Sequence, residues 1–181
     1  IAQALERDPS IAAKIKRLVI MGGQVHVPGN STAAAEFNFW FDPEAADRVL
    51  RHSAIRDKIL VPLDVCNHAV ITKSHFDRLI TRRSPIANLY RQSFGNDYPG
   101  FLKNPSAKTY FWDELAAAFL LDETLFTSSS SAHLAVETAP GPSYGTVRIL
   151  PAESAHASHP VRYLQNLDFE RAFRIVEALF K

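Results

Sequence analysis

The 181-residue chain sets 20 Lys+Arg against 19 Asp+Glu, for a formal net charge of +1. That balance argues against the clustered positive charge that nucleic acids and membrane surfaces require, so neither is an expected partner. A hydrophobic share of 46% with 22% charged residues is the mix of a globular domain able to bury a core.

Cys66 is the single cysteine, which excludes an internal disulfide and a cysteine-built zinc site. No apolar run approaches the ~20 residues that span a bilayer. Ile1–Arg7 lacks the apolar core of a secretory signal, so a cytoplasmic location is expected.

Ile1, Leu5, Ile11 and Ile15 are spaced for one helix face, broken at Asp8-Pro9. Residues 9–16 are expected to be helical, with Pro9 in the first turn. Arg17–Met21 is a short apolar run stopped by Gly22-Gly23, the pattern of a buried strand. Residues 24–41 read as a loop. Asp42-Pro43-Glu44 supplies a cap, a first-turn proline and a first-turn acid for a helix to about Arg51. Lys58–Leu63 is a second buried strand, ending at Asp64.

Thr72 caps a helix through Ile80, and Ser84-Pro85 opens another through about Phe94. Gly95–Lys108 reads as a loop and Trp112–Leu121 as an apolar helix. Ser128–Ser131 reads as a surface loop. Leu134–Thr138 and Thr146–Leu150 are β-rich runs joined by Ala139-Pro140-Gly141-Pro142, a hairpin pattern. Val161–Leu167 adds a strand. Asp168 caps a final helix with Phe169, Phe173, Val176 and Phe180 on one face. The order predicts an α/β fold with a mostly parallel, Rossmann-like sheet, a C-terminal hairpin and a helix, with no linker dividing it. Ligands gather beyond the carboxyl ends of such strands, which selects the loops after Met21 and Leu63.

The first of these loops holds Asn30, Glu36 and Asn38 in a stretch flanked by glycine. Two carboxamides and a carboxylate offer the donors and acceptors that suit a polyol such as a sugar. The same residues also suit turn fixing and a solvated face.

Val19-Ile20-Met21-Gly22-Gly23, Gly29-Asn30, Ala35-Glu36-Phe37-Asn38 and Asp42-Pro43-Glu44-Ala45-Ala46 together resemble the nucleoside hydrolase family of the inosine–uridine type. Leu63-Asp64-Val65 and the later Asp113 follow in the same order. The resemblance implies an N-ribosyl hydrolase with a bound calcium ion (Ca2+). It assigns Asn30, Glu36 and Asn38 to ribose hydroxyls, Met21 to the sugar pocket and Asp113 to the calcium. Phe37 and Tyr110 are then neighbours of the base pocket.

Many family members carry a histidine where this chain has Trp112. An indole has no proton to donate near neutral pH, so it cannot act as general acid. Its alternatives are a core aromatic or a stacking platform. Phe111-Trp112-Asp113-Glu114 is similar to the purine-specific branch, the inosine–adenosine–guanosine-preferring hydrolases, in which this tryptophan stacks on the leaving purine. The resemblance therefore implies a purine nucleoside as substrate. It leaves room for a homo-oligomer.

The family's cluster of aspartates is missing. No two aspartates of this chain lie within four residues of each other, and calcium takes six to eight oxygens. The expectation is that residues 1–181 form the C-terminal part of one nucleoside hydrolase domain, inactive alone, with the metal-binding half absent. Two alternatives stay open. One is a non-catalytic nucleoside- or ribose-binding protein. The other is a histidine-type hydrolase drawing its acid from His26 or a late histidine such as His156 or His159. Asp64 suits either a cap or a supporting role at the site.

Overall fold

Leu18–Met21 (β1) and Lys58–Val61 (β2) pair in parallel, with Leu18 opposite Lys58 and Met21 opposite Val61, in the computed structural model of the chain. The described residues are 1–94, 103–104, 106, 108–151, 153 and 158–180. The expected loop Gly95–Lys108 falls largely outside them, and His156 wholly so.

The chain forms two compact units, each built from separated stretches of sequence. The first comprises Ile1–Val65 and Phe126–Asn166. It begins with two short helices, Ala2–Arg7 (α1) and Ser10–Lys14 (α2). Phe37–Phe41 (α3) and Pro43–Leu50 (α4) connect β1 to β2.

The expected loop over 24–41 is therefore only partly a loop, because its end winds into α3. The cause is a side-chain cap. Five residues cannot sustain a helix alone, and the Glu36 side chain caps this one by accepting from the N–H groups of Asn38 and Phe39. Asp42 caps α4 as its sequence suggests, accepting from Ala45 N–H at 3.0 Å.

Three further strands complete the sheet: Ser128–Val136 (β3), Val147–Leu150 (β4) and Val161–Asn166 (β5). The strand order is β1-β2-β5-β3-β4. β5 is parallel to β2, while β3 runs antiparallel to both β5 and β4. The hairpin between β3 and β4 was legible. The serine run was not: Ser128–Ser131 is strand, in register with Asn166–Arg162 of β5 rather than a surface loop. Serine has little intrinsic strand preference, and pairing with a neighbour overrides it.

The core on one face of the sheet gathers Phe39, Leu50, Leu60, Leu134, Val147 and Tyr163. Ala2, Leu5, Ala12, Val49 and Ile55 form a second cluster.

The second unit comprises Cys66–Leu125 and Leu167–Lys181. A two-stranded ribbon pairs Val70 with Tyr110 and Ile71 with Thr109. Around it lie Lys73–Ile80, Pro85–Phe94, Asp113–Leu121 and Phe169–Ala178, the expected helices to within one or two residues. Phe111 stacks on Phe173 at 5.9 Å between ring centroids. Arg78 lies over the same Phe173 ring at 4.5 Å and donates to Glu177 at 2.7 Å. Arg78 first, then Arg82, holds the Glu177 carboxyl below the usual range.

Lys58 is 1% exposed, the largest fully buried side chain of the described residues. Its ammonium donates to His52 C=O at 2.9 Å. Burial lowers its pKa from 10.5 to about 8.

The unfolded chain then holds a proton that the folded chain releases between pH 8 and 10.5. Stability should rise with pH across that window, by about 3 kcal/mol in full, and change little on this account below it. Lys58→Met should abolish the rise, measured as the wild-type-minus-variant difference in unfolding free energy from pH 7.5 upward.

Candidate functional site

β1 and β2 end side by side, and their continuation builds the site. Gly22 N–H donates to Val61 C=O at 3.2 Å, and Leu63 N–H donates to Gly23 C=O at 2.9 Å. Gly23 takes φ +71°, and a Cβ there would come within 2.9 Å of the rings and methyls of Phe39 and Val147. The glycine therefore serves both the turn and the seat of Phe39. At Gly29 a Cβ would lie 2.1 Å from the Ala35 carbonyl oxygen, so the loop closes on itself only because no side chain is present.

Glu36 is the anchor. It is 2% exposed, and its carboxylate accepts three backbone N–H groups. Gly23 donates to Oε2 at 2.8 Å, Phe39 to Oε2 at 3.1 Å and Asn38 to Oε1 at 2.9 Å. Gln24, also buried, accepts from Glu36 N–H at 3.1 Å and donates to Ala34 C=O. A buried charge is tolerable only with such partners, and the bonds fix loop and carboxylate together.

Asn30 Oδ1 accepts from Phe37 N–H at 2.9 Å, which leaves its two Nδ2 donors available. Asn38 Nδ2 faces Met21 Sδ at 3.2 Å, which leaves its carbonyl oxygen available. Met21 and Asn38 line an open cleft of about 210 Å3 with Ile20, Phe39, Asp42 and Ala46. Phe37, half exposed at 52%, lies 6.0 Å from Phe41 between ring centroids. The five residues Met21, Asn30, Glu36, Phe37 and Asn38 thus lie on one stretch of the first unit, from the end of β1 through the loop to the start of α3.

Asp64 plays a part that the sequence left open. It is buried, and its two oxygens accept from Val25 and His26 N–H, each at 2.8 Å. It ties the loop after β1 to the end of β2. The His26 side chain rests on Tyr163, with Nε2 3.2 Å from the phenolic oxygen. Its place immediately beyond the second strand, where parallel sheets collect functional groups, is what singled Asp64 out in the sequence.

Trp112 and Asp113 belong to the second unit. Trp112 precedes the helix Asp113–Leu121, is 39% exposed and stacks on Tyr110 at 6.0 Å with 29° between planes. The Trp112 backbone N–H donates to Glu114 Oε2 at 3.1 Å. Asp113 is exposed in the first turn. Cys66 is buried, as expected of a small apolar side chain.

No group of three His, Cys, Asp or Glu comes together among the described residues. Asp113 therefore lacks the companion oxygens that calcium requires, and the residues described do not by themselves fit that ion. No described helix is long and apolar enough to cross a membrane.

Comparison with known proteins matches these features. The chain is similar to the pyrimidine-specific ribonucleoside hydrolase RihA of Salmonella newport, 36% identical over 135 residues, covering 71% of this chain and 41% of that protein. Among solved structures it is similar to the inosine–uridine preferring nucleoside hydrolase of Bacillus anthracis (29% identity, TM-score 0.74, covering 99% of this chain and 56% of that one). The fold is also that of an inosine–guanosine nucleoside hydrolase (23% identity, TM-score 0.83, covering 99% and 59%). The chain thus spans under half the length of the curated relatives first matched and a little over half that of the solved ones. A purine-specific branch is not distinguished, since a pyrimidine-specific enzyme stands among the relatives. The inosine–uridine preferring nucleoside hydrolase family profile matches residues 1–174, and the chain belongs to that family.

Proposed function

We propose that this chain forms part of a nucleoside N-ribohydrolase and carries its ribose-binding loop. The observation that supports this most directly is the rigid loop at the carboxyl ends of two parallel strands, with Glu36 at its centre. Asn30 has donors left over, Asn38 has an acceptor, and Glu36 Oε1 holds a lone pair beyond its bond to Asn38 N–H. That set can hold the hydroxyls of a pentose in one pucker.

In the reaction, water adds to the anomeric carbon, the N-glycosidic bond breaks toward the base, and the base takes up a proton. Charge builds on the ring as in glycoside hydrolysis, and a fixed ring geometry lowers the barrier. Met21 packs beside Asn38, and the half-exposed Phe37 ring is offered as a neighbour for the base.

The substrate read here is a purine nucleoside. Trp112 presents an exposed indole face that can stack on the leaving purine. The cation–π attraction favours the purine protonated at N7, and so its departure. The relatives named above pull in both directions on the base, so this preference rests on Trp112. Asp113 as a ligand for calcium needs five or more oxygens from outside the described residues.

The free edge of the sheet bears on the extent of the domain. β1 is an edge strand of Leu, Val, Ile and Met, without the lysine, proline or bulge that guards a solvated edge. Parallel strands are ordinarily covered. This supports the reading of the chain as the C-terminal part of a larger domain whose remaining strands extend the sheet from β1.

A second reading, a ribose-binding protein without catalysis, is favoured by the lack of a carboxylate cluster among the described residues.

One experiment separates the readings. The part of the Bacillus anthracis enzyme that this chain does not cover is fused ahead of it, and both the chain and the fusion are assayed. The chain alone should release no ribose from inosine, whereas the fusion should, with kcat/KM for inosine above that for uridine. Trp112→Ala in the fusion should lower the inosine value by about 30-fold, the equivalent of ~2 kcal/mol. Ribose binding without hydrolysis in the fusion would favour the binding protein, and a uridine preference would refute the purine assignment.

Glu36 and Asn38 should part company when each is replaced by alanine. Glu36→Ala leaves buried N–H groups unpaired and should cost about 3 kcal/mol of unfolding free energy. Asn38→Ala, on an exposed side chain, should leave stability within about 0.5 kcal/mol and still weaken ribose binding by the fusion. Denaturant titration and ribose titration read the two effects separately.

A further inference from the structure

The amino end of the sheet carries a second feature that the hydrolase reading does not use. Lys16 stands two residues before β1, Arg56 two before β2 and His159 two before β5. These three strands are neighbours in the sheet. Their parallel register places Leu18 opposite Lys58 and Lys58 opposite Val161. The three residues therefore stand at the same end of three adjacent strands.

The same three residues line one cleft of about 510 Å3, with Ala13, Ile15, Ser53 and Ala54 as its other described walls. No carboxylate is among them. One step nearer the sheet, Arg17 is neutralised by Asp57 at 2.6 Å. Lys16 and Arg56 have no such partner among the described residues.

Like charges lining one cleft repel, and nothing in the packing of the first unit requires them, since Lys16 and Arg56 are exposed. A counter-charge of matching shape relieves that repulsion. Two cations and an imidazole lining one cleft with no carboxylate among its described walls offer more positive charge than a single phosphoryl group needs, and so suit two linked ones. Arginine grips phosphate oxygens in a fork, lysine adds a point charge, and the Ser53 hydroxyl and the imidazole can each donate a hydrogen bond.

We propose that this cleft binds a small anion bearing two linked phosphoryl groups, on Lys16, Arg56 and His159. It opens at the strand ends opposite the ribose loop, separated from it by the four-residue length of β1, about 13 Å. Its ligand is therefore separate from the nucleoside substrate, and the proposal does not depend on hydrolysis.

The test is a calorimetric titration of the 181-residue chain with inorganic pyrophosphate, inorganic phosphate and adenosine 5′-diphosphate. Saturable one-site binding of pyrophosphate, at least tenfold tighter than phosphate, is the expected result. Equal affinity for the nucleotide identifies the free diphosphate as the ligand. Tighter nucleotide binding adds a role for the apolar wall of Ala13, Ile15 and Ala54. Lys16→Glu and Arg56→Glu should each weaken pyrophosphate at least tenfold with an unchanged Tm, whereas Lys14→Glu, outside the cleft, should not. Absence of saturable binding, or equal weakening by Lys14→Glu, overturns the proposal.

Discussion

The buried carboxylate of Glu36 is the interaction on which the first unit's functional face depends. Removed from water, it holds the turn after β1 through Gly23 and the start of α3 through Asn38 and Phe39. Without it, α3 is a five-residue aromatic segment too short to stay helical. Phe39 would then lose its place over Gly22 and Gly23, where the glycines leave room for its ring. The core cluster that includes Phe39, Leu60 and Tyr163 rests on the same arrangement. One charged group thus couples the geometry of a polar site to the packing of an apolar core.

The sheet is chemically polarised as a consequence of its parallel strands. At the carboxyl ends, Glu36 and Asp64 are buried and hold backbone N–H groups. At the amino ends cations outnumber acids: Asp57 neutralises Arg17, Lys58 is buried against His52, and Lys16 and Arg56 line the open cleft. The acceptor-rich end suits a neutral polyol, and the cation-rich end an anion. A balanced total charge of +1 conceals this separation.

Belonging to the inosine–uridine preferring family explains why the motif string from Met21 to Ala46 occurs in this order. It does not by itself choose the base. A histidine can give up a proton near neutral pH and an indole cannot, so the purine reading proposed above rests on the residue type at position 112 and not on membership of the family.

Much of the fold was legible in the chain. The Asp42-Pro43 cap, the glycine stop after Met21, the hairpin turn and the Asp168 cap each act within a few residues, and local chemistry of that kind survives folding. Asn30, Glu36 and Asn38 were legible as a polar cluster and, through their spacing, as a family motif.

What the sequence could not decide was the use made of each group. Glu36 as the tie to Gly23, Asp64 as the clasp on Val25 and His26, and the serine run as strand all depend on partners between 13 and almost 40 residues away. Lys16, Arg56 and His159 look like unrelated surface residues until strand register lines them up. Those roles arise from distances that only the packed sheet sets, because hydrogen bonds and charge pairs act in space and not along the chain.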